Sequence, residues 1–195
     1  MQTAYLNEIA EIRTGYSFRK AAQLKESSGL LGLQISDLRG MKVVDPSRLA
    51  PIEWPGRGSP PVLQHGDVVI AAKGSENYAS VFLGQDQNIV PSSQLLVLSV
   101  IDIKRLLPEF LCWLLNYPET LHKLSELQAG TKIYSMSKKA LQQLKLPIPD
   151  RDAQESILHL SQLFEEEKRL TQALLNNREV MVYGLSKKLL YGEII

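Results

Sequence analysis

No part of the chain restricts its possible folds more than residues 150–183, which contain neither glycine nor proline. The tetrapeptide Asp152-Ala153-Gln154-Glu155 has the form of a capping box, in which side chains satisfy the free backbone N–H groups of a helix N-terminus. A helix over these residues is about 50 Å long at a rise of about 1.5 Å per residue, which exceeds what a small domain needs for its own core. The segment therefore predicts a long C-terminal helix that packs against something else.

Apolar residues of this predicted helix recur on one a/d-like register, which Glu167, Thr171 and Arg178 interrupt. A two-stranded zipper requires a nearly unbroken apolar seam at these positions. The pattern therefore favours a multi-helix assembly in which the helix pairs with partner helices. The residues expected at that dimer or partner interface are Ile157, Leu160, Phe164, Leu174, Met181 and Leu185.

Short helix and strand signals alternate in the rest of the chain. Residues 6–12 have the apolar spacing of a short helix, and residues 31–38 alternate as a strand does. The β-branched run at residues 68–72 predicts a buried strand. The sequence thus predicts an α+β fold, with one mixed α/β domain over residues 1–149 and a helical dimerisation or spacer segment over residues 150–195.

Proline and serine mark several expected element ends. Pro108 suits the first turn of a helix that runs to Tyr117, and Ser137 can cap a short helix over residues 138–144. The prolines of residues 146–149 force an extended exit from the domain. The Pro- and Gly-rich residues 51–61 predict an irregular excursion that is not a central strand.

The net charge of +1 conceals two basic segments. Residues 12–25 and residues 127–149 contain no acid, and aromatic residues lie among their lysines and arginines. Such segments suit a surface that follows DNA phosphates, although solvated lysines on an ordinary surface are an equal alternative. The residues concerned are Arg13, Tyr16, Phe18, Arg19, Lys20 and Lys25 in the first segment, and Lys132, Tyr134, Lys138, Lys139 and Lys145 in the second.

Composition argues against several other classes of protein. No apolar run reaches the roughly 18 residues of a membrane-spanning helix, and the first residues lack the pattern of a signal peptide, so we expect a cytoplasmic protein without a membrane partner. The single cysteine, Cys112, lies in an apolar stretch and is expected to be a buried small hydrophobe. The three histidines are far apart, and no phosphate-binding loop or methyltransferase motif is present, so we expect no metal, no cofactor and no catalytic residue.

One enzymatic pattern is formally satisfied. Pro149-Asp150 followed by Glu166-Glu167-Lys168 matches the PD-(D/E)xK motif of metal-dependent nucleases. In those enzymes the carboxylates converge on a divalent metal ion. Here Asp150 and Glu166 would lie about 24 Å apart along one predicted helix, which argues against this alternative.

Four segments, in order along the chain, carry a resemblance to a known family. They are Leu6 to Phe18 with its Thr14-Gly15 turn, Gly66-Asp67-Val68-Val69-Ile70 with Lys73-Gly74-Ser75, Gly130 to Ser137 continuing through Pro149 to Gln154 and Ile157, and the ending Leu189 to Ile195. In these segments the chain resembles the specificity subunit of type I restriction-modification systems, in its half-length form with one target-recognition domain.

The resemblance implies a non-catalytic subunit that reads double-stranded DNA. It also implies that this subunit positions a modification methyltransferase subunit and a restriction and translocase subunit on a bipartite site. Two copies would pair through the C-terminal helix as a homodimer to restore the two-domain arrangement of longer family members. Two alternatives stay open: a recognition or scaffold module of another defence complex, and the nuclease considered above.

The DNA contacts are expected in loops that a rigid sheet carries. Residues after the buried strand can offer hydrogen-bond donors and a stacking face to bases, and the two basic segments can supply phosphate and groove contacts. Tyr16 and Tyr134 could equally be core residues. The candidates are Lys73, Ser75, Asn77 and Tyr78 for base contacts, and Arg13, Tyr16, Arg19, Lys20, Thr131, Lys132, Tyr134 and Lys138 for the others.

Overall fold

The described part of the chain forms nine strands and five α-helices. A computed structural model describes residues 2–17, 29–54, 58–74, 78–85, 88–128 and 135–192. The strands are β1 (Gln2–Tyr5), β2 (Ala10–Thr14), β3 (Leu30–Leu33), β4 (Ala50–Ile52), β5 (Val68–Ala71), β6 (Ala79–Val81), β7 (Ile89–Pro91), β8 (Leu95–Val100) and β9 (Lys145–Ile148). The α-helices are α1 (Leu6–Ile9), α2 (Pro108–Leu115), α3 (Pro118–Gln128), α4 (Lys138–Gln142) and α5 (Arg151–Tyr191).

A four-stranded antiparallel sheet of order β2-β8-β5-β6 organises the domain. Its strand β5 is buried along its whole length. Val69 of this strand belongs to the main hydrophobic core, and the alternating residues Val68 and Ile70 are also fully buried, while α2 packs against β5. Burial on both faces explains why the strand is a continuous β-branched run rather than an alternating one.

A second sheet of order β4-β3-β7 completes the main core. Strand β3 pairs antiparallel with β4 and parallel with β7. Leu33 of β3 and Ile89 of β7 lie in the same buried cluster as Val69 and Val97 of the four-stranded sheet. The predicted mixed α/β domain is therefore confirmed.

The first and last strands of the domain, β1 and β9, pair with each other. Strand β1 is antiparallel to β9, with Gln2 opposite Ile148 and Tyr5 opposite Lys145. Ala4 and Leu146, which are register partners, are both buried. The sequence predicted an extended exit here, but the strand pairing between segments so far apart had no local signal.

The buried carboxylate of Asp67 joins three strands of the four-stranded sheet. Asp67 is 2% exposed and accepts hydrogen bonds from Arg13 Nη2 of β2 at 2.8 Å and from the hydroxyl of Ser99 in β8. It also accepts the backbone N–H of Gln64 at 2.9 Å. Gly66, with φ of +86°, turns the chain so that Asp67 holds this position immediately before β5. The Gly-Asp pair noted in the sequence is therefore a structural element of the sheet.

Several sequence predictions of local structure are wrong at their boundaries. The helix predicted over residues 6–12 is only the single turn α1, because residues 10–14 pair with β8 as a strand. The strand predicted over residues 31–38 ends at Leu33, and residues 35–38 form a 3₁₀ turn. Pairing with β8 outweighs the local apolar spacing at residues 10–14. At residues 35–38 a local contact ends the strand, because the carboxylate of Asp37 accepts the backbone N–H of Gln34.

Other local predictions are confirmed. The hydroxyl of Ser137 accepts the backbone N–H of Ala140 and caps α4, and Pro108 is the first residue of α2. Pro51 lies in β4, an edge strand, where its missing N–H costs no central ladder bond. Cys112 is buried, and burial raises the pKa of its thiol to about 12.

The long helix is present and starts earlier than the predicted capping box. Helix α5 has 41 residues, and the carboxylate of Asp150 accepts the N–H of Ala153 as its cap. The N-cap is therefore Asp150 rather than the predicted Asp152, and Gln154 is fully buried with its side-chain amide hydrogen-bonded to the backbone of Arg105, Leu107 and Pro149. Internal contacts divide the chain into residues 1–154 and residues 155–195.

Among the described residues, no helix combines the length and the apolar character that crossing a membrane requires.

Replacing Asp67 with alanine tests its structural role. The change leaves the Arg13 guanidinium, the Ser99 hydroxyl and the Gln64 N–H without this acceptor, so we expect the free energy of unfolding to fall by about 3 kcal/mol. Urea unfolding followed by circular dichroism measures the difference. Asp102→Ala, which removes an exposed carboxylate that accepts the N–H of Lys104, is the control and should cost less than about 1 kcal/mol. Equal losses in the two variants would contradict the role of Asp67.

Candidate nucleic-acid interface

One end of the four-stranded sheet brings together strand ends that lie next to several of the predicted contact residues. Thr14 at the end of β2 lies opposite Leu96, and Ala71 at the end of β5 lies opposite Leu95 at the start of β8. Ala79 at the start of β6 pairs with Ile70. We call the end of the sheet formed by Thr14, Ala71, Ala79 and Leu95 the loop edge.

The chain after β2 lies tightly against the turn between β7 and β8. Gly15 N–H donates to Leu95 O at 3.1 Å, and Tyr16 N–H donates to Pro91 O at 2.7 Å. A Cβ atom on Gly15 would lie 2.1 Å from the carbonyl oxygen of Ser92, so only glycine allows this approach. The Thr-Gly-Tyr turn of the sequence thereby fixes where residues 14–16 leave the sheet.

Tyr16 is half-buried and contacts a second aromatic residue. Its ring centroid lies 4.6 Å from that of Trp54, with an interplanar angle of 52°. The indole N–H of Trp54 donates to Gly58 O at 2.8 Å. Both aromatic residues thus belong to a packed pair close to the loop edge, and the prediction that Tyr16 contacts DNA stays a prediction.

The exit of β5 meets the segment that leads into α4. Lys73 and Ser135 form an antiparallel bridge, and Met136 N–H donates to Ala72 O at 2.8 Å. This pairing brings together residues that are some sixty positions apart in the sequence. Lys73 and Lys138, the first residue of α4, are both exposed. Two of the predicted lysines therefore belong to segments that meet at the loop edge.

Tyr78 precedes β6 at the loop edge. Its neighbour Ala79 is bound by Asn116, a residue that the sequence analysis did not single out. The side-chain amide of Asn116 accepts Ala79 N–H at 3.0 Å and donates to Ala79 O at 2.8 Å. Tyr78 itself is 36% exposed. Asn116 follows α2, so the helix fixes the position of Ala79 at the start of β6. No sequence motif marks this role, because it depends on a contact across 37 positions.

Arg13 differs from the other described candidates. Its guanidinium pairs with Asp67 at 2.8 Å and donates to the carbonyl oxygens of Pro61 at 3.4 Å and Val62 at 3.0 Å. These contacts give it a role within the fold. Its predicted contact with DNA stays a prediction.

The remaining candidate DNA contacts lie outside the described residues. They are Arg19, Lys20, Ser75, Asn77, Thr131, Lys132 and Tyr134. The described residues on either side, which include Ser17, Gly74, Tyr78 and Ser135, lie in segments that leave or rejoin the sheet at the loop edge.

The family model for the type I restriction modification DNA specificity domain matches residues 1–177. This chain belongs to that family. The match includes the sheet, the loop edge and the first part of α5, so the specificity domain and the geometry above describe the same residues.

Solved structures share the fold of this specificity domain. A structure described as "Structural basis underlying complex assembly and conformational transition of the type I R-M system" matches with a TM-score of 0.65 and 22% identity, over 93% of this chain and 43% of that one. The HsdS subunit from Thermoanaerobacter tengcongensis matches with a TM-score of 0.61 and 23% identity, over 88% and 39%. The type I S subunit from M. genitalium matches with a TM-score of 0.58 and 14% identity, over 96% and 45%.

The chain thus spans less than half the length of each of these structures. No curated protein matches it.

The described residues of the specificity domain contain no group of three or more His, Cys, Asp or Glu side chains that could hold a metal ion. The two carboxylates of the nuclease pattern have other roles: Asp150 caps α5, and Glu166 forms an ion pair of 2.6 Å with Arg169 on the same helix. The hydrogen bond from Arg169 lowers the pKa of Glu166. Nothing in this arrangement favours the nuclease alternative.

Helix α5 exposes a long series of apolar side chains. Five of the six residues predicted at a partner interface, all except the half-buried Ile157, are more than half exposed. Leu163, Leu170 and Leu189 extend the exposed apolar series beyond the predicted register. An exposed apolar surface of this extent is typical of an interaction site. The exposed predicted residues are Leu160, Phe164, Leu174, Met181 and Leu185.

Proposed function

We propose that this chain is the sequence-specific DNA-recognition subunit of a type I restriction-modification complex. It directs methyltransferase and endonuclease subunits to their site and catalyses no reaction itself, so it needs no cofactor, and it acts in the cytoplasm. The observation that carries this proposal is the loop edge, where segments from four separate parts of the chain meet in a domain of the specificity family.

The loop edge has the properties of a DNA-reading surface. Its position is fixed by a sheet whose strand β5 is buried on both faces, whereas Lys73, Tyr78 and Lys138 beside it are exposed. Lys73 and Lys138 supply positive charge for phosphates, and Tyr78 offers a ring and a hydroxyl group to base edges. A rigid scaffold with variable loops allows such domains to differ in target sequence without a change of fold.

We further propose that two chains pair through α5. The exposed apolar side chains of this helix support pairing, because they lose contact with water only when another helix covers them. A pair of identical chains related by a two-fold axis recognises two identical half-sites in inverted orientation. The target is then an interrupted palindrome, and α5 contributes to the distance between its halves.

DNA binding itself is tested first with the full chain and a pool of random duplex DNA. Selection should enrich one bipartite sequence, and binding should weaken as salt concentration rises, because lysines displace counterions from phosphates. Lys73→Gln should weaken binding to selected and random DNA about equally and make the salt dependence shallower by about one unit in the log-log slope. Fluorescence anisotropy at several salt concentrations measures both effects.

Lys104→Gln provides the matched control for Lys73→Gln. Lys104 is exposed and follows β8, whose end at Val100 lies opposite Ala10, so it belongs to the other end of the sheet. The control should bind DNA as the unchanged chain does. Selection that enriches no sequence, or an equal loss of binding in both variants, would overturn the proposed interface.

Pairing through α5 is tested with Leu174→Asp. Leu174 is 51% exposed and lies in the middle of the predicted interface, where a carboxylate would be buried without a partner charge. We expect the full chain to be a dimer and this variant to be a monomer with unchanged helix content. Light scattering over a concentration series measures the mass.

Asn176→Asp is the control for this measurement. It adds the same charge two residues further along α5 but outside the a/d register, so the dimer should persist. A full chain that stays monomeric at every concentration would show that α5 does not pair with a second copy.

A further inference from the structure

The turn between β7 and β8 carries an exposed amide side chain at the loop edge. Ser93 and Gln94 are the central residues of this turn, because Leu95 N–H donates to Ser92 O at 3.0 Å. Gln94 is exposed, whereas Ser92 and Leu95 are buried. Strand β8, which begins directly after the turn, lies between β2 and β5 in the sheet. Gln94 therefore occupies an inner position at the end of the sheet that is proposed to face DNA.

The backbone of this turn is bound by three neighbouring segments. Ser93 N–H donates to Tyr16 O at 2.7 Å, which joins the turn to the segment after β2. Ala72 N–H donates to Gln94 O at 2.9 Å, which joins it to the end of β5. The N–H of the residue before the turn donates to Leu33 O of β3 at 2.8 Å. A side chain on such a backbone leaves the domain from a defined position, which direct reading of a base requires.

The side-chain amide of Gln94 can take a hydrogen-bonding partner from outside the domain. It makes no hydrogen bond to any other described residue. An amide presents an oxygen that accepts and an NH₂ group that donates. In the major groove adenine presents the matching pair, because its N6 amino group donates and its N7 atom accepts. Gln94 thus has the chemistry to form two hydrogen bonds with one adenine.

The surroundings of Gln94 suit a base contact with phosphate contacts beside it. Ala72, which binds the backbone of Gln94, directly precedes Lys73, an exposed lysine that is proposed to contact phosphate. Lys73 forms a bridge with Ser135, and the chain from Ser135 leads to Lys138. Phosphate contacts fix the register of a protein on the duplex, and base contacts within that register carry the sequence information. The inner amide and the lysines beside it correspond to this division of roles.

We propose that Gln94 is a specificity-determining residue that recognises an adenine in the major groove of each half-site. Its Nε2 atom donates to adenine N7, and its Oε1 atom accepts from the N6 amino group. The inference rests on the proposed function and adds to it a residue and the base that this residue reads. The sequence analysis did not single out Gln94, because a lone glutamine in a short turn belongs to no motif.

The experiment selects a target for the unchanged chain from random duplex DNA and then replaces each adenine of one half-site in turn by 7-deazaadenine. This analogue pairs with thymine as adenine does but has a C–H group in place of the N7 acceptor. At one adenine we expect the replacement to lower affinity about tenfold, because one bond of the bidentate pair is lost and its donor is left without a partner. Fluorescence anisotropy measures the affinities.

Gln94→Ala completes the comparison. It removes the proposed contact from every half-site, so its affinity for natural DNA should fall at least about tenfold. The 7-deazaadenine replacement at the responding position should then change the affinity of this variant by less than about twofold, because the two changes remove the same interaction. The variant still binds the site through its other contacts.

Gln94→Glu provides a gain of function in the same assay. The carboxylate has nearly the same size as the amide but offers only acceptors. The preferred base at the responding position should therefore change from adenine to cytosine, whose N4 amino group donates. Selection from random duplex DNA with this variant measures the change.

Gln85→Ala is the matched control. Gln85 is an exposed glutamine in the segment after β6, whose end at Val81 lies away from the loop edge and opposite Val68. This variant should bind natural and substituted DNA as the unchanged chain does.

The outcomes separate the two proposals. If the unchanged chain selects a DNA sequence but no adenine of its half-site responds to 7-deazaadenine, the role of Gln94 is overturned while DNA recognition stands. The same conclusion follows if Gln94→Ala keeps the full response to the replacement, or if Gln94→Glu keeps the preference for adenine. If the unchanged chain selects no DNA sequence, the proposed function fails and the inference fails with it.

Discussion

The carboxylate of Asp67 is the interaction on which the proposed reading surface depends. It joins β2, β5 and β8 from a buried position, through Arg13, the backbone of Gln64 and the hydroxyl of Ser99. A buried carboxylate is tolerated only when its charge is paired and its oxygens are hydrogen-bonded, and here both conditions hold. The register that this network helps to fix brings Thr14, Ala71 and Leu95 to one end of the sheet.

The described residues divide into a packed framework and exposed segments at its edge. The sheet and α2 are packed through buried apolar side chains, and glycine at position 15 is imposed by a carbonyl oxygen against which no side chain fits. The segments that leave this framework carry the exposed residues Lys73, Tyr78 and Lys138. Helix α5 differs from the core, because most of its apolar side chains are exposed. The proposed reading surface and the proposed pairing surface therefore lie in different parts of one chain.

Local sequence signals predicted the elements that depend on local chemistry. The β-branched run of β5, proline at the start of α2, the Ser137 cap and the glycine-free helix α5 were all foreseeable, and the family resemblance was legible in four short segments. Long-range contacts were not foreseeable. Strand β1 pairs with β9, the side-chain amide of Asn116 binds the backbone of Ala79, and the side-chain amide of Gln154 binds three backbone groups. No periodicity in the sequence relates the residues that these contacts join. Arg13 illustrates the limit, since basic character alone does not distinguish an internal ion pair from a phosphate contact.

The most direct test of the central claim is to map which end of the sheet faces DNA. A DNA-cleaving iron chelate is attached to Gln94→Cys, at the loop edge, or to Lys104→Cys, at the other end of the sheet. Cys112 stays unlabelled, because burial raises the pKa of its thiol to about 12 and shields it from the reagent. Our account predicts that the chelate at position 94 cleaves the bound duplex within each half-site and that the chelate at position 104 does not. Cleavage from position 104 alone would contradict it.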